Sequence, residues 1–203
     1  MLNSRTLQRG VTLIELVVVF VVLGLLIVAA GPSIGTWIGN TNVRNTAQSI
    51  YAGLNRARAE AVRLNRSVRF SLVSVTDPAV LDNSCALSAS GVSWVVSVND
   101  PTALCAVAPS ETAVPMTVDK AAGGAGGRRV TVAALQADGA TAANSITFNA
   151  FGRVADATAI SRIDIDNEVA GGDYRALRIL VGNGGTVRMC DIKITDSNDP
   201  RKC

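Results

Sequence analysis

Histidine is absent from all 203 residues of the chain. That absence removes the Ser-His-Asp and Cys-His nucleophile systems and every zinc site that relies on an imidazole ligand. Charge is scarce as well: Asp, Glu, Lys and Arg make up 17% of the sequence, against roughly 25% in ordinary soluble domains. A chain kept disordered by its own charge is therefore excluded. The apolar share is 48% and the mean hydropathy is +0.31. The length fits one domain, or a small domain with an appendage, better than two large domains.

Much of the positive hydropathy comes from one block. Leu16 to Ile38 is a run of 23 residues without a charge, enough for the ~20 that cross a bilayer as a helix. The formal net charge of +3 is unevenly distributed. From Arg44 to Arg69 six arginines face Glu60 alone, whereas Phe70 to Cys203 carries 11 basic and 14 acidic residues. A basic stem beside an apolar span and a mildly acidic remainder point to anionic lipid or an acidic partner surface. For the arginines themselves, a solvated helix face is the ordinary alternative.

The first ten residues, with Arg5 and Arg9, are polar and give way abruptly to Val11-Thr12-Leu13-Ile14-Glu15-Leu16. Glu15 is the anomaly, because a carboxylate within an apolar span is costly and generally has a partner. Cleavage after Gly10 would supply one: the new α-amino group of Val11 would lie one helical turn from Glu15. Within a subunit the pair neutralises charge; between subunits it would set a helix register of ~6 Å, four residues at 1.5 Å each. Two other readings of this segment exist. A secretory signal peptide would be cut at Val28-Ala29-Ala30, before Gly31, and a plain signal anchor would explain the span but not Glu15.

Arg9-Gly10 followed by Val11 to Leu16 resembles the class III signal of type IV pilins and type II secretion pseudopilins. The resemblance implies cleavage after Gly10 by a prepilin peptidase that also methylates the Val11 amine, a membrane-embedded N-terminal helix, and assembly through Glu15. The family most often has Phe where Val11 stands. It also implies a bend at Pro32, the proline that with Gly24 interrupts the apolar run.

Beyond Asn40, Val43, Ala47, Ile50, Leu54, Ala57, Ala61 and Leu64 recur at steps of three and four, one face of a helix. Thr12 to Leu64 would form a single helix of ~80 Å at 1.5 Å per residue, its second half packed on a globular head. The stretch Ala57 to Arg69 is similar to the helix end of the GspH/FimT branch of the family. After Asn65 the period falls to two, predicting strands at 68–72, 94–98, 114–118, 129–133, 145–148, 162–166 and 174–181. Asn183-Gly184-Gly185 predicts a hairpin joining 177–181 to 186–190. Phe148 to Arg153 and Gly185 to Cys190 resemble segments of FimT/FimU-type minor pilins.

The expected class is thus α+β, a type IV pilin-like fold with a long N-terminal helix on a β-rich head. The expected organisation is a leader over 1–10, a transmembrane half-helix over 11–39, an amphipathic half over 40–65 and a periplasmic head over 66–203. Four cysteines allow three connectivities. With the head outside the cytoplasm and no CxxC spacing, disulfides are favoured over zinc or redox chemistry. The expected pairs are Cys85 with Cys105 and Cys190 with Cys203, the second stapling a polar tail, with free thiols as the alternative.

Two further patterns have chemical and plain readings. Gly123 to Gly127 lacks the Lys-Ser/Thr ending of a phosphate loop and is expected as a flexible surface connection. Asp164, Asp166 and Glu168 share one strand face, suited to calcium or simply to solvent. No nucleophile has an identifiable base, and neither a cofactor nor catalysis is expected. The function implied is a structural minor pilin of a bacterial type IV pilus near the filament tip, single-pass in the inner membrane. Its expected partners are the prepilin peptidase, other major and minor pilins, and membrane lipid. A type II secretion pseudopilin is the alternative, and so is a DNA-binding tip subunit. Some FimT-like proteins carry a basic Gly-Arg-x-Arg segment associated with DNA uptake. Here Gly185-Thr186-Val187-Arg188 lacks the first arginine, leaving Arg188, Lys193, Arg201 and Lys202 as phosphate contacts among Asp191, Asp196 and Asp199.

Overall fold

The computed structural model describes residues 11–169 and 174–203; the side chains of 28–33 and 125 lie outside that description. Gly10 and the rest of the first ten residues also lie outside it. The chain divides into two compact units, Met1–Trp37 and Ile38–Cys203.

A single α-helix, α1 (Leu13–Arg63), carries 51 residues, within a residue at each end of the span expected from periodicity. Gly24 and Pro32 both fall inside it, but the side chain on which the expected bend depends lies outside the described residues. Among the described residues, no helix is long and apolar enough to cross a membrane. The uncharged run includes residues 28–33, whose side chains are not among those described.

Within the second unit, the expected apolar face of α1 is the buried one: Val43, Ala47, Ile50, Leu54, Ala57 and Ala61 are inaccessible to solvent. It joins one core with residues from two antiparallel sheets. In the first sheet, β1 (Val68–Ser74) pairs along one edge with β3 (Ser93–Ser97), which continues to β4 (Thr117–Ala121). The other edge of β1 is shared by β6 (Ser145–Phe148) and the two-residue β2 (Ala86–Leu87). The second sheet runs β5 (Val130–Leu135), β7 (Arg162–Asn167), β8 (Leu177–Val181), β9 (Val187–Asp191). The β8–β9 hairpin is the one predicted from Asn183-Gly184-Gly185.

Period-two burial is clean in β5, where Val130, Val132 and Ala134 point inward. It fails in β1 and β3 because both faces of that sheet are covered. Phe70, Leu72, Trp94 and Val96 belong to the core shared with α1, whereas Val73 and Val95 pack with Cys85 and Cys105 in a second, smaller cluster. The helix approaches closely because Gly53 has no side chain: a Cβ there would stand 2.8 Å from the Phe70 ring and 2.9 Å from Trp94. Trp94 Nε1 also donates to Ser49 Oγ on α1 at 2.9 Å.

Two expectations are corrected. The strand foreseen at 114–118 begins only at Thr117, since Pro115 has no N–H to give a ladder and Met116 is left-handed, with φ of 55°. The Gly123–Gly127 connection is anchored rather than loose: the Gly123 N–H donates to Ser93 Oγ at 3.0 Å, and the segment leads into a 3-10 turn over Ala125–Arg129.

Candidate assembly interface

Helix α1 opens on its own cap. Thr12 precedes the first helical residue, and its hydroxyl accepts the backbone N–H of Glu15 at 3.3 Å. Its carbonyl accepts the N–H of Leu16 at 3.2 Å. Thr-x-x-Glu at this position is the sequence of a capping box, and Glu15 in the first turn complements the positive end of the helix dipole. The spacing that suggests a partner for Glu15 thus also serves the helix start. Around this cap every described side chain from Val11 to Ile27 is exposed, Leu13 at 81%. An apolar surface of that extent, on all sides of a helix, marks contact with lipid or with other protein.

At the other end of the chain, the C-terminal tail is fastened back to β9. Cys190 and Cys203 are joined with their Cα atoms 5.1 Å apart, and the Asp191 N–H donates to the Arg201 carbonyl at 2.7 Å. The four cations considered for DNA contact belong to this region, and the charged groups of Arg188, Arg201 and Lys202 have internal partners. Arg188 Nη2 donates to the Lys202 carbonyl at 3.0 Å, and Lys202 Nζ donates to the Thr195 carbonyl at 3.0 Å. Arg201 grips Asp199 with two hydrogen bonds of 3.0 and 2.7 Å, which pull the Asp199 carboxyl down to about 2. The backbone N–H of Lys193 donates to Asp191 Oδ1 at 2.9 Å. Cys85 and Cys105 form the other bridge, beneath the first sheet.

The three carboxylates considered for calcium are not used together. Asp164 lies between Arg178 Nε at 2.6 Å and Arg162 Nη2 at 2.5 Å. Burial opposes its ionisation, and the hydrogen bonds from Arg178 and then Arg162 outweigh that, holding the carboxyl below its ordinary range. Asp166 faces solvent, and Glu168 lies past the end of β7. Among the described residues no group of three candidate ligands is placed to hold a metal. Sequence reading passed over a different cluster: Arg56, Glu60 and Arg63 form an ion-paired chain along α1, with Glu60 only 4% exposed. Their spacing of four and three residues was the available signal.

A helix that buries one face of its second half in an antiparallel β unit, with a capped, apolar and exposed first half, defines a type IV pilin-like subunit. The family model for type II transport protein GspH matches residues 46–185, and the prokaryotic N-terminal methylation motif matches residues 5–31. The first covers more than half of the chain, which belongs to the GspH family. It is a structural, non-enzymatic protein of the minor pilin and pseudopilin class. Two crystal structures of the type IV minor pilin FimU from Pseudomonas aeruginosa strain PAO1 are similar to it. One is 16% identical with a TM-score of 0.43, covering 72% of this chain and 90% of that one. The other is 15% identical with a TM-score of 0.42, covering 73% and 88%. No curated protein matches.

Proposed function

We propose that this chain is a minor pilin of a type IV pilus, cleaved after Gly10 by a prepilin peptidase and methylated on the Val11 amine. It is anchored in the bacterial inner membrane by the first half of α1, with residues 66–203 in the periplasm, and then assembled with other pilins at or near the filament tip. The observation that carries this reading is the coincidence of the methylation motif over 5–31 with the exposed helix start that holds Glu15 just before the uncharged run. Glu15 and Pro32 act in assembly, the carboxylate by pairing with an N-terminal amine and the proline by shaping the helix. N-terminal mass spectrometry of filament-associated protein tests it: a methylated start at Val11 is expected, and a start at Gly31 overturns it.

The name of the matching family favours a second reading, a type II secretion pseudopilin. Deletion of the gene separates the two, since loss of surface filaments supports the pilus and loss of exported enzymes with filaments intact supports the secretion system. The resemblance of Gly185 to Cys190 to FimT/FimU-type segments supports the pilus.

A further inference from the structure

Between the end of α1 and the segment 98–118 lies a cavity of about 480 Å³ that pilin assembly, as proposed above, does not use. Arg56, Arg63 and Arg66 line it. Ion pairing along the helix accounts for two of them: Arg56 Nη2 is 3.1 Å from Glu60 Oε1, and Arg63 Nε donates to Glu60 Oε2 at 2.6 Å. It does not account for Arg66, whose guanidinium has no hydrogen-bond or ion-pair partner among the described residues. Nor does it account for Thr117 on the cavity wall, 2% exposed, whose buried hydroxyl also has no partner among those residues. A buried polar group normally has a partner; the Thr117 hydroxyl is itself sealed from solvent, so the group that the cavity leaves open is the exposed Arg66.

The chain's own Glu111 indicates what that ligand carries. It is on a surface loop, 76% exposed, and its Oε1 is 3.3 Å from Arg63 Nη2. A carboxylate on an irregular segment therefore already rests at the mouth. Asp119 also approaches, 3.9 Å from Arg56 Nε, so at rest the three arginines face three carboxylates. Glu60 is buried between Arg56 and Arg63, whereas Glu111 is exposed and held by a single contact of 3.3 Å, so displacing it leaves one positive charge. Leu64, Val98, Met116 and Val118 supply an apolar wall, which suits a peptide better than a hydrated inorganic ion.

We propose that this cavity docks an acidic, extended segment of a partner protein. One of its carboxylates replaces Glu111 on Arg63 and pairs with Arg66. The assignment stands on the chemistry of the cavity and is independent of which filament the protein joins.

The test uses the full-length chain in non-ionic detergent and a fluorescein-labelled peptide of alternating glutamate and proline, followed by fluorescence anisotropy. Saturable binding is expected, with none for the glutamine-proline counterpart. Arg66→Gln should weaken binding about tenfold or more, the scale of one charge-assisted hydrogen bond, with an unchanged unfolding midpoint because Arg66 has no structural partner. Glu111→Gln should strengthen binding about threefold by removing a weak internal competitor. Absence of saturable binding, equal binding of the glutamine peptide, or indifference to Arg66→Gln overturns the proposal. Weakening by Glu111→Gln overturns it too, as does displacement of the peptide by an equal concentration of inorganic phosphate, which would reduce the site to general anion attraction.

Discussion

Gly185 passes so close to Gly152 that a Cβ on it would stand 1.9 Å from the Gly152 backbone oxygen. Both residues are left-handed, with φ of 79° and 70°, and the same oxygen accepts a hydrogen bond from Arg58 Nε on α1 at 3.2 Å. The β8–β9 turn, the turn after β6 and the helix are thus fastened at one atom. Gly185→Ala should cost ~2 kcal/mol or more in urea unfolding, combining steric overlap with a disfavoured backbone. Gly184→Ala, where a Cβ meets nothing within 4 Å, should stay within about 0.5 kcal/mol of the parent.

Acid should weaken the second sheet through Asp164. Its folded pKa lies below the ordinary value, which is ~3.9 in an unfolded chain. The unfolded state therefore binds the proton more readily, so the contribution of the Arg162–Asp164–Arg178 cluster is complete above about pH 4 and disappears as the pH falls through the lower folded value. Asp164→Asn should lower stability at neutral pH by on the order of 1 kcal/mol once solvent screening is counted. Urea midpoints of parent and variant should then converge as the pH falls below the ordinary carboxylate range. A gap that is constant with pH would place the effect in packing instead.

The buried face of α1 was legible because a helix repeats its inward positions every three or four residues, and from Val43 to Ala61 most of them are apolar, with buried Thr46 and Glu60 the exceptions. Strands β5, β7 and β8 and the last hairpin were legible for the same reason at period two, with a Gly-Gly turn to punctuate them. Within the segment from Thr76 to Gly127 the strand at 94–98 was legible as β3, but most of the rest was opaque. Its cluster rests on the Cys85–Cys105 bridge and on carbonyls of residues 105 and 107 that accept from Lys120 Nζ at 2.6 and 2.9 Å, contacts with no period to read. The arginine cavity was invisible for a related reason. Arg56, Arg63 and Arg66 read as a solvated helix end until the loop carrying Glu111 is folded over them.

Cys203→Ser should release the tail. The Cys190–Cys203 bridge spans 13 positions, a loop worth ~3 kcal/mol on the chain-entropy model, whose mechanism is disputed. The Asp191–Arg201 hydrogen bond is too little to replace it. Limited proteolysis should then cut between Thr195 and Lys202 while the rest stays resistant. Non-reducing peptide mapping of the parent should recover Cys85 with Cys105 and Cys190 with Cys203, and recovery of crossed pairs would contradict the staple.

Glu15→Val should leave membrane insertion intact or improve it, since a costly carboxylate is removed, while incorporation into filaments falls. Comparison of sheared filaments with the membrane fraction reads this directly. Because Thr12 caps the Glu15 N–H and Thr-x-x-Glu is the capping-box sequence, Glu15→Gln is the sharper variant: it keeps capping capacity but removes the charge. Loss of incorporation with glutamine assigns the effect to pairing with the amine. Normal incorporation with glutamine, and loss only with valine, assigns it to the cap.

The C-terminal cations set the last expectation. Arg201 is neutralised by Asp199, and Arg188 and Lys202 are tied to carbonyls of the stapled tail. Few phosphates can then be neutralised, so the full-length protein in detergent should bind duplex DNA weakly, with a shallow dependence on salt. Thr186→Arg should create or strengthen binding, because it adds a cation beside Val187 and Arg188 on an exposed turn, at the opposite end of the hairpin from Asp191. Arg188→Ala should change little in the parent but abolish much of what Thr186→Arg confers. The contrary outcome is equally definite. Micromolar binding by the parent at physiological salt, with Arg188→Ala costing ~1 kcal/mol or more and reducing the salt slope by about one, would make DNA capture part of this subunit's work.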